Sequence, residues 1–121
     1  MKYCEECGKN VVELHHIIFR SQASYMANIN INFKYICPDC HRGDNGPHMN
    51  KKKNLEYKLE LQKKLFGLFD KDYFTEKEIK ERLETTISEA RKITKKLKLY
   101  KEGYEKIDII QRLMGGHLYV K

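Results

Sequence analysis

Cys4-Glu5-Glu6-Cys7 and Cys37-Pro38-Asp39-Cys40 are two Cys-x-x-Cys knuckles with 29 residues between them. Their reading decides the fold. Two sulfurs on one short loop face a single ion, and two such loops supply the four thiolates of a tetrahedral zinc site. The long separation leaves room for a β-hairpin between the pairs. With every thiol consumed the site is closed: it does no chemistry, and its binding energy, on the order of 10–16 kcal/mol in zinc peptides, becomes folding energy. A redox pair is the competing reading of such a motif.

Length and composition agree with a metal staple. The chain has 121 residues, enough for one domain or two very small ones, and small domains need help to bury enough apolar surface. Met1-Lys2-Tyr3 precede Cys4 with no apolar secretory region, and no apolar run is long enough to span a bilayer. A cytoplasmic setting is therefore expected. There disulfides are disfavoured, and zinc is the better use of four cysteines. The net charge is +7. Over residues 1–48 Lys2, Lys9, Arg20, Lys34 and Arg42 balance Glu5, Glu6, Glu13, Asp39 and Asp44, so the surplus lies beyond. A basic half on a neutral metal module points to a polyanion; a solvated, lysine-rich helical surface is the plainer alternative.

The pattern along the chain predicts an α+β protein: a metal module over 1–50 and a basic helical region over 51–121. Val11–Phe19 and Ile31–Ile36 read as strands around a polar loop at 21–30. Gly43, Gly46 and Pro47 keep any helix after the second knuckle short. A helix is expected over Asn54–Phe69, with Leu55, Leu59, Phe66 and Phe69 on one face, widened by Tyr57, Leu61 and Leu68. Thr75-Glu76-Lys77-Glu78 and Thr86-Ile87-Ser88-Glu89 are capping boxes that open two further helices. A last helix holds Ile107, Ile110, Leu113 and Met114 and stops at Gly115-Gly116. His117–Val120 is expected to close the chain as a strand.

The histidines carry the chemistry. His15 and His16 lie between the knuckles, and His41 follows the second one directly. Neighbours on a strand point to opposite faces. His15 and His16 therefore should not clasp one ion together, and a ligand beside a base fits better. Imidazole titrates near neutrality and serves either role. A single histidine, taken alone, reads as a satisfied, partly buried side chain.

Cys4-x-x-Cys7, Glu13-Leu14-His15-His16-Ile17 and Asn32-Phe33-Lys34-Tyr35-Ile36-Cys37-Pro38-Asp39-Cys40-His41 together resemble the HNH endonucleases, the ββα-metal group, in their zinc-stapled branch. The resemblance covers roughly residues 4–48, and the nine-residue step from Asn32 to His41 is its most specific spacing. It implies that His15 and His41 hold a catalytic divalent metal, Mg²⁺ or Mn²⁺. It also implies that His16 is the general base and that Asn32 holds the loop that aims it. The implied reaction is hydrolysis of DNA to a 3′-hydroxyl and a 5′-phosphate. Many members carry another histidine four residues after position 41. Here that residue is Asn45 and the next histidine is His48, so either is left to complete the metal shell. The Gly-Gly often found ahead of the Asn is replaced by Tyr25-Met26-Ala27-Asn28-Ile29. Compact members are common in phages and mobile elements, and a nuclease this small is expected to nick, or to cut as a homodimer.

The C-terminal half resembles a helix-turn-helix or winged-helix arrangement. On that reading Ile87–Leu97 is the recognition helix, and Arg91, Lys92, Lys95 and Lys96 contact the phosphates of double-stranded DNA. An amphipathic helical lid and an oligomerisation surface are the alternatives. The competing functions are a non-catalytic zinc-ribbon or helix-turn-helix DNA-binding protein, and a subunit that acts only in a larger complex.

Overall fold

The computed structural model describes residues 2–120; Met1 and Lys121, the ends of the two expected regions, lie outside it. The fold is α+β. Two short strands, β1 (Glu13–His16) and β2 (Phe33–Ile36), pair antiparallel, with His15 opposite Lys34 and His16 opposite Phe33. Both are shorter than expected. Ile17 and Ile18 leave the ladder because they bond instead to Asn32, whose backbone carbonyl accepts from Ile17 N and whose side-chain oxygen accepts from Ile18 N. Asn30–Asn32 forms a 3-10 turn rather than the start of β2.

The second knuckle opens α1 (Pro38–Arg42), a helix of five residues. Proline suits the first helical position because its missing N–H would be unpaired there anyway. The chain then folds back on α1 through Gly46. A Cβ at that position would lie 2.5 Å from the His41 carbonyl oxygen and 2.7 Å from that of Cys40, so only glycine allows the approach.

Helix α2 (Lys51–Leu68) begins three residues earlier than the apolar pattern indicates, because Asn50 caps it by accepting from Lys53 N. Its buried face is Tyr57, Leu61 and Leu65, continued by Phe69. Leu55 and Leu59 are only half-buried, contrary to the periodicity reading. The metal module decides which face turns inward: the Tyr57 hydroxyl donates to Glu6, and the buried Lys34 ammonium lies 4.4 Å from the Tyr57 ring centre. Lys34 also pairs with Glu60 at 3.2 Å.

Beyond α2 come β3 (Tyr73–Phe74), α3 (Glu76–Leu83), α4 (Ile87–Thr94), β4 (Leu99–Tyr100), β5 (Gly103–Glu105) and α5 (Lys106–Leu113). The three strands form an antiparallel sheet in the order β3-β5-β4. Helices α3 and α4 pack on each other. Strands β4 and β5 form a two-stranded hairpin, and β5 also pairs with β3. Gly103 at φ +127° is obligatory in that hairpin, since a Cβ there would lie 2.6 Å from the Phe74 carbonyl oxygen.

The first capping box forms in both directions between Thr75 and Glu78. The second forms in one: Thr86 accepts from Glu89 N. Helix α4 ends at Thr94, so Lys95–Leu97 is a turn beyond it. His117–Val120 is not a strand. The Gln62 side chain donates to Tyr119 O and accepts from Tyr119 N, taking the place of a strand partner.

The two expected regions share one core. Ile18, Met26, Ile29 and Ile36 pack in the same cluster as Leu61, Leu65 and Phe69 of α2 and Ile93, Ile110 and Leu113 beyond. The loop between β1 and β2 is tied to α5 by the Tyr25 hydroxyl, which donates to Arg112 O at 2.6 Å, while the Arg112 guanidinium lies 3.6 Å from the Tyr25 ring centre. No helix among the described residues is long and apolar enough to cross a membrane.

Candidate metal centre

The knuckles bring Cys4, Cys7, Cys37 and Cys40 together, with all four sulfurs within 4.8 Å of one another. None is in a disulfide. Cys7 Sγ and Cys37 Sγ are 3.6 Å apart. Zinc–sulfur bonds of about 2.3 Å at tetrahedral angles would separate sulfurs by about 3.8 Å, so the spacing suits one ion. Each knuckle aims a backbone N–H at its own first sulfur: Cys7 N to Cys4 Sγ at 3.4 Å and Cys40 N to Cys37 Sγ at 3.5 Å. Burial pushes the Cys4 thiol up, but hydrogen bonds from the Cys37, Cys7 and Glu6 backbone and from the Cys7 side chain outweigh it and bring it down to about 6. Burial and the neighbouring thiols push Cys40 up. The cluster can hold a metal ion and is compatible with structural zinc.

A second cluster lies one residue away along α1. His15, His41 and His48 place one ring nitrogen each within 4.8 Å of the others. His15 Nδ1 is 3.2 Å from His41 Nε2, which is 2.9 Å from His48 Nε2. With metal–nitrogen bonds of about 2.0–2.1 Å, neighbouring ligands are separated by about 2.9–3.4 Å, so these spacings fit a shared cation. His48, one of the two candidates for the third position, joins the cluster, carried there by the Gly46 turn. Its i+7 offset from His41 replaces the i+4 offset of a continuous helix.

Burial favours the neutral ring at His15 and His48. His15, only 2% exposed, is pushed down to about 3, by burial first and then by His41, His48, His16 and Lys34. His48 is lowered by burial and by His41. Neutral imidazole keeps a lone pair for a metal. His15 Nε2 is buried without a hydrogen-bond partner.

Glu13 organises the cluster, and the motif reading did not single it out. His41 Nδ1–H donates to Glu13 Oε1 at 3.0 Å, which fixes the tautomer and turns the Nε2 lone pair toward His15 and His48. Arg42 pairs with the same carboxylate and, with His41, holds its pKa below the usual range. A carboxylate behind a ligating histidine is a recurrent feature of metal sites. A signal was present: Glu13 is two residues before His15, hence on the same strand face. A second unpredicted charge is Lys58, buried on α2, its ammonium 5.1 Å from the ring centres of Phe19 and Tyr119. Phe19 in turn stacks on His48.

His16 takes no part in the cluster. Its Nε2–H donates to Ala27 O at 3.0 Å, and its ring meets Phe33 edge-on. A carbonyl can only accept, so a neutral ring carries its lone pair on Nδ1. Asn32 is fully buried and ties the loop together: Oδ1 accepts from Ile18 N at 2.7 Å, and Nδ2 donates to Ile18 O and Met26 O, each at 3.1 Å. The segment that supplies Ala27 is thereby held against the end of β1.

Comparison with known proteins adds no relative. The chain matches no family model, no curated protein and no solved structure. Arg91, Lys92, Lys95 and Lys96 are all exposed, on α4 and the turn after it. Arg91 pairs with Glu76 and Lys92 with Glu89, each at 3.4 Å. His117 sits beside Tyr119, their ring centres 4.3 Å apart.

Proposed function

We propose that the protein is a metal-dependent endonuclease of the HNH type that hydrolyses phosphodiester bonds in double-stranded DNA. The sulfur cluster holds zinc as a fixed part of the scaffold. His15, His41 and His48 hold a divalent ion, Mg²⁺ or Mn²⁺. When bound, such an ion neutralises charge on the phosphate and on the departing oxygen.

The observation that carries this reading is the division of labour across β1. His15 faces a three-histidine cluster, while its neighbour His16 is turned the other way and fixed by Ala27 O in the tautomer that leaves Nδ1 as a base. Nδ1 of His16 takes the proton of the attacking water. Asn32 orients that ring indirectly, through the loop it ties. Glu13 keeps His41 in its ligating tautomer. The basic surface of α4 and of the β4–β5 hairpin supplies phosphate contacts.

His16→Ala in the zinc-loaded protein tests the assignment. With supercoiled plasmid and Mn²⁺ or Mg²⁺, the rate is expected to fall roughly 10²–10⁴-fold, the usual worth of a general base, while duplex binding stays unchanged. Equal nicking by variant and wild type would remove His16 as the base, and no nicking by either would leave the second reading. That reading is a zinc-stapled winged-helix protein that binds DNA without cutting it, and the connectivity of residues 51–113 is what favours it.

A further inference from the structure

A cleft of about 620 Å³ lies between the loop after β1 and the C-terminal end of α4. Arg20, Lys92, Lys95, Lys96 and Arg112 line it with Ser21 and Ser24, and no carboxylate does. We propose that this cleft seats the phosphate backbone of duplex DNA and sets the path of the strand toward the histidine cluster. The inference rests on the reading of DNA as the ligand, but not on cleavage.

Three separate stretches of chain deliver these cations to one place. Lys95 and Lys96 at a helix C-terminus are explained locally, since they complement the helix dipole. Arg112 has a local role too: its Nε and Nη2 donate to the Ile93 and Lys92 carbonyls. Arg20 has none. It comes from the other half of the molecule, is exposed, and, like Lys95 and Lys96, has no carboxylate within 4.0 Å among the described residues. Bringing Arg20 to this group raises like-charge repulsion without local compensation, and an anion in the cleft removes it. The hydroxyls of Ser21 and Ser24 are neutral donors of the kind that phosphates accept.

Position supports the same ligand. Arg20 is four residues after His16, so their Cα atoms are at most about 14 Å apart. At 3.4 Å of rise per nucleotide, that span is about four nucleotides between Arg20 and the proposed base His16. The Tyr25–Arg112 contact holds the two walls in register. The cleft is therefore a ruler as well as a grip.

The test is a fluorescence-anisotropy titration of the zinc-loaded full chain with a labelled duplex. It is run at several salt concentrations, without added divalent metal. Each phosphate that is no longer neutralised makes the slope of log K against log salt shallower by about 0.9. Arg20→Gln with Lys96→Gln should make it shallower by about 2 and weaken binding at low salt more than tenfold. Lys63→Gln with Lys77→Gln, exposed lysines outside the cleft, should change the slope far less. An unchanged slope in the first pair, or equal changes in both pairs, would overturn the proposal. So would loss of binding to phosphatidylglycerol vesicles with duplex binding intact. A wild type that binds through the cleft but never nicks plasmid would leave the cleft standing and remove the nuclease.

Discussion

The sulfur and imidazole clusters share α1, since Cys40 belongs to one and His41 to the other, yet they are built differently. The sulfur cluster is woven into the backbone. Cys4 N donates to Lys9 O, Gly8 N to Cys4 O, Glu5 N to Tyr35 O and His41 N to Cys37 O, and Cys4 and Cys37 belong to the core. The imidazole cluster hangs from side chains: a strand residue, a helix residue and His48 on an exposed loop, braced by Glu13. A metal in the first is a part of the fold. A metal in the second is a guest that the fold positions.

Zinc removal breaks or upholds that contrast most forcefully. A structural zinc contributes on the order of 10–16 kcal/mol, as much as the whole stability of a typical domain, roughly 5–15 kcal/mol. Chelation, or Cys37→Ser, is expected to unfold the protein, measured by loss of the far-ultraviolet helical signal and of the melting transition. His48→Ala should melt near the wild type. A chelated protein with an unchanged melt would erase the distinction between the clusters.

Glu13→Ala sharpens it. Removing a carboxylate behind a ligating histidine usually weakens metal binding about 10–100-fold. Calorimetric titration with Mn²⁺ should show that loss at the imidazole cluster, while the zinc content stays at one per chain. Unaltered Mn²⁺ affinity would mean that the His41 tautomer does not depend on Glu13. Loss of zinc in the same variant would mean that the two clusters are coupled through α1.

The legible and illegible parts of this chain differ by the range of the interaction. The cysteine knuckles, the short α1 and the Thr75 box depend on residues a few positions apart, and the sequence displays them directly. The separation of His15 from His16 follows from strand geometry alone. The β4–β5 hairpin is invisible in the sequence because β4 has two residues and β5 three, too short to show an alternating period. The inward face of α2 departs from the apolar pattern because Tyr57 is chosen by Glu6 and Lys34, far away in sequence. Tyr119 reads as a strand residue because nothing local announces that Gln62 will satisfy its backbone. His48 is preferred to Asn45 in the sequence, but what carries it to His41, the close approach of Gly46 to α1, is not visible there.

The smallest effect concerns protons. The folded state holds His15 at about 3, whereas an unfolded histidine titrates near 6.5. Between these values the unfolded chain binds the extra proton, so stability rises with pH; this contribution is complete above about 6.5 and is lost progressively as pH falls toward about 3. His48, also lowered, acts in the same direction. From pH 6.5 to 5.5 the His15 contribution alone amounts to about 1 kcal/mol of lost stability. Denaturant unfolding of the zinc-loaded protein at these two pH values, without added Mn²⁺, should show that loss in the wild type. In His15→Gln the difference between the two pH values should be smaller by about that amount, whatever the variant's absolute stability. Saturating Mn²⁺ would oppose the same protonation, since an ion on the ring nitrogens competes with the proton. A wild type with no pH dependence in this window would mean that His15 titrates in the folded cluster as it does in the unfolded chain, and stability that rises as pH falls would mean that the folded ring is already protonated.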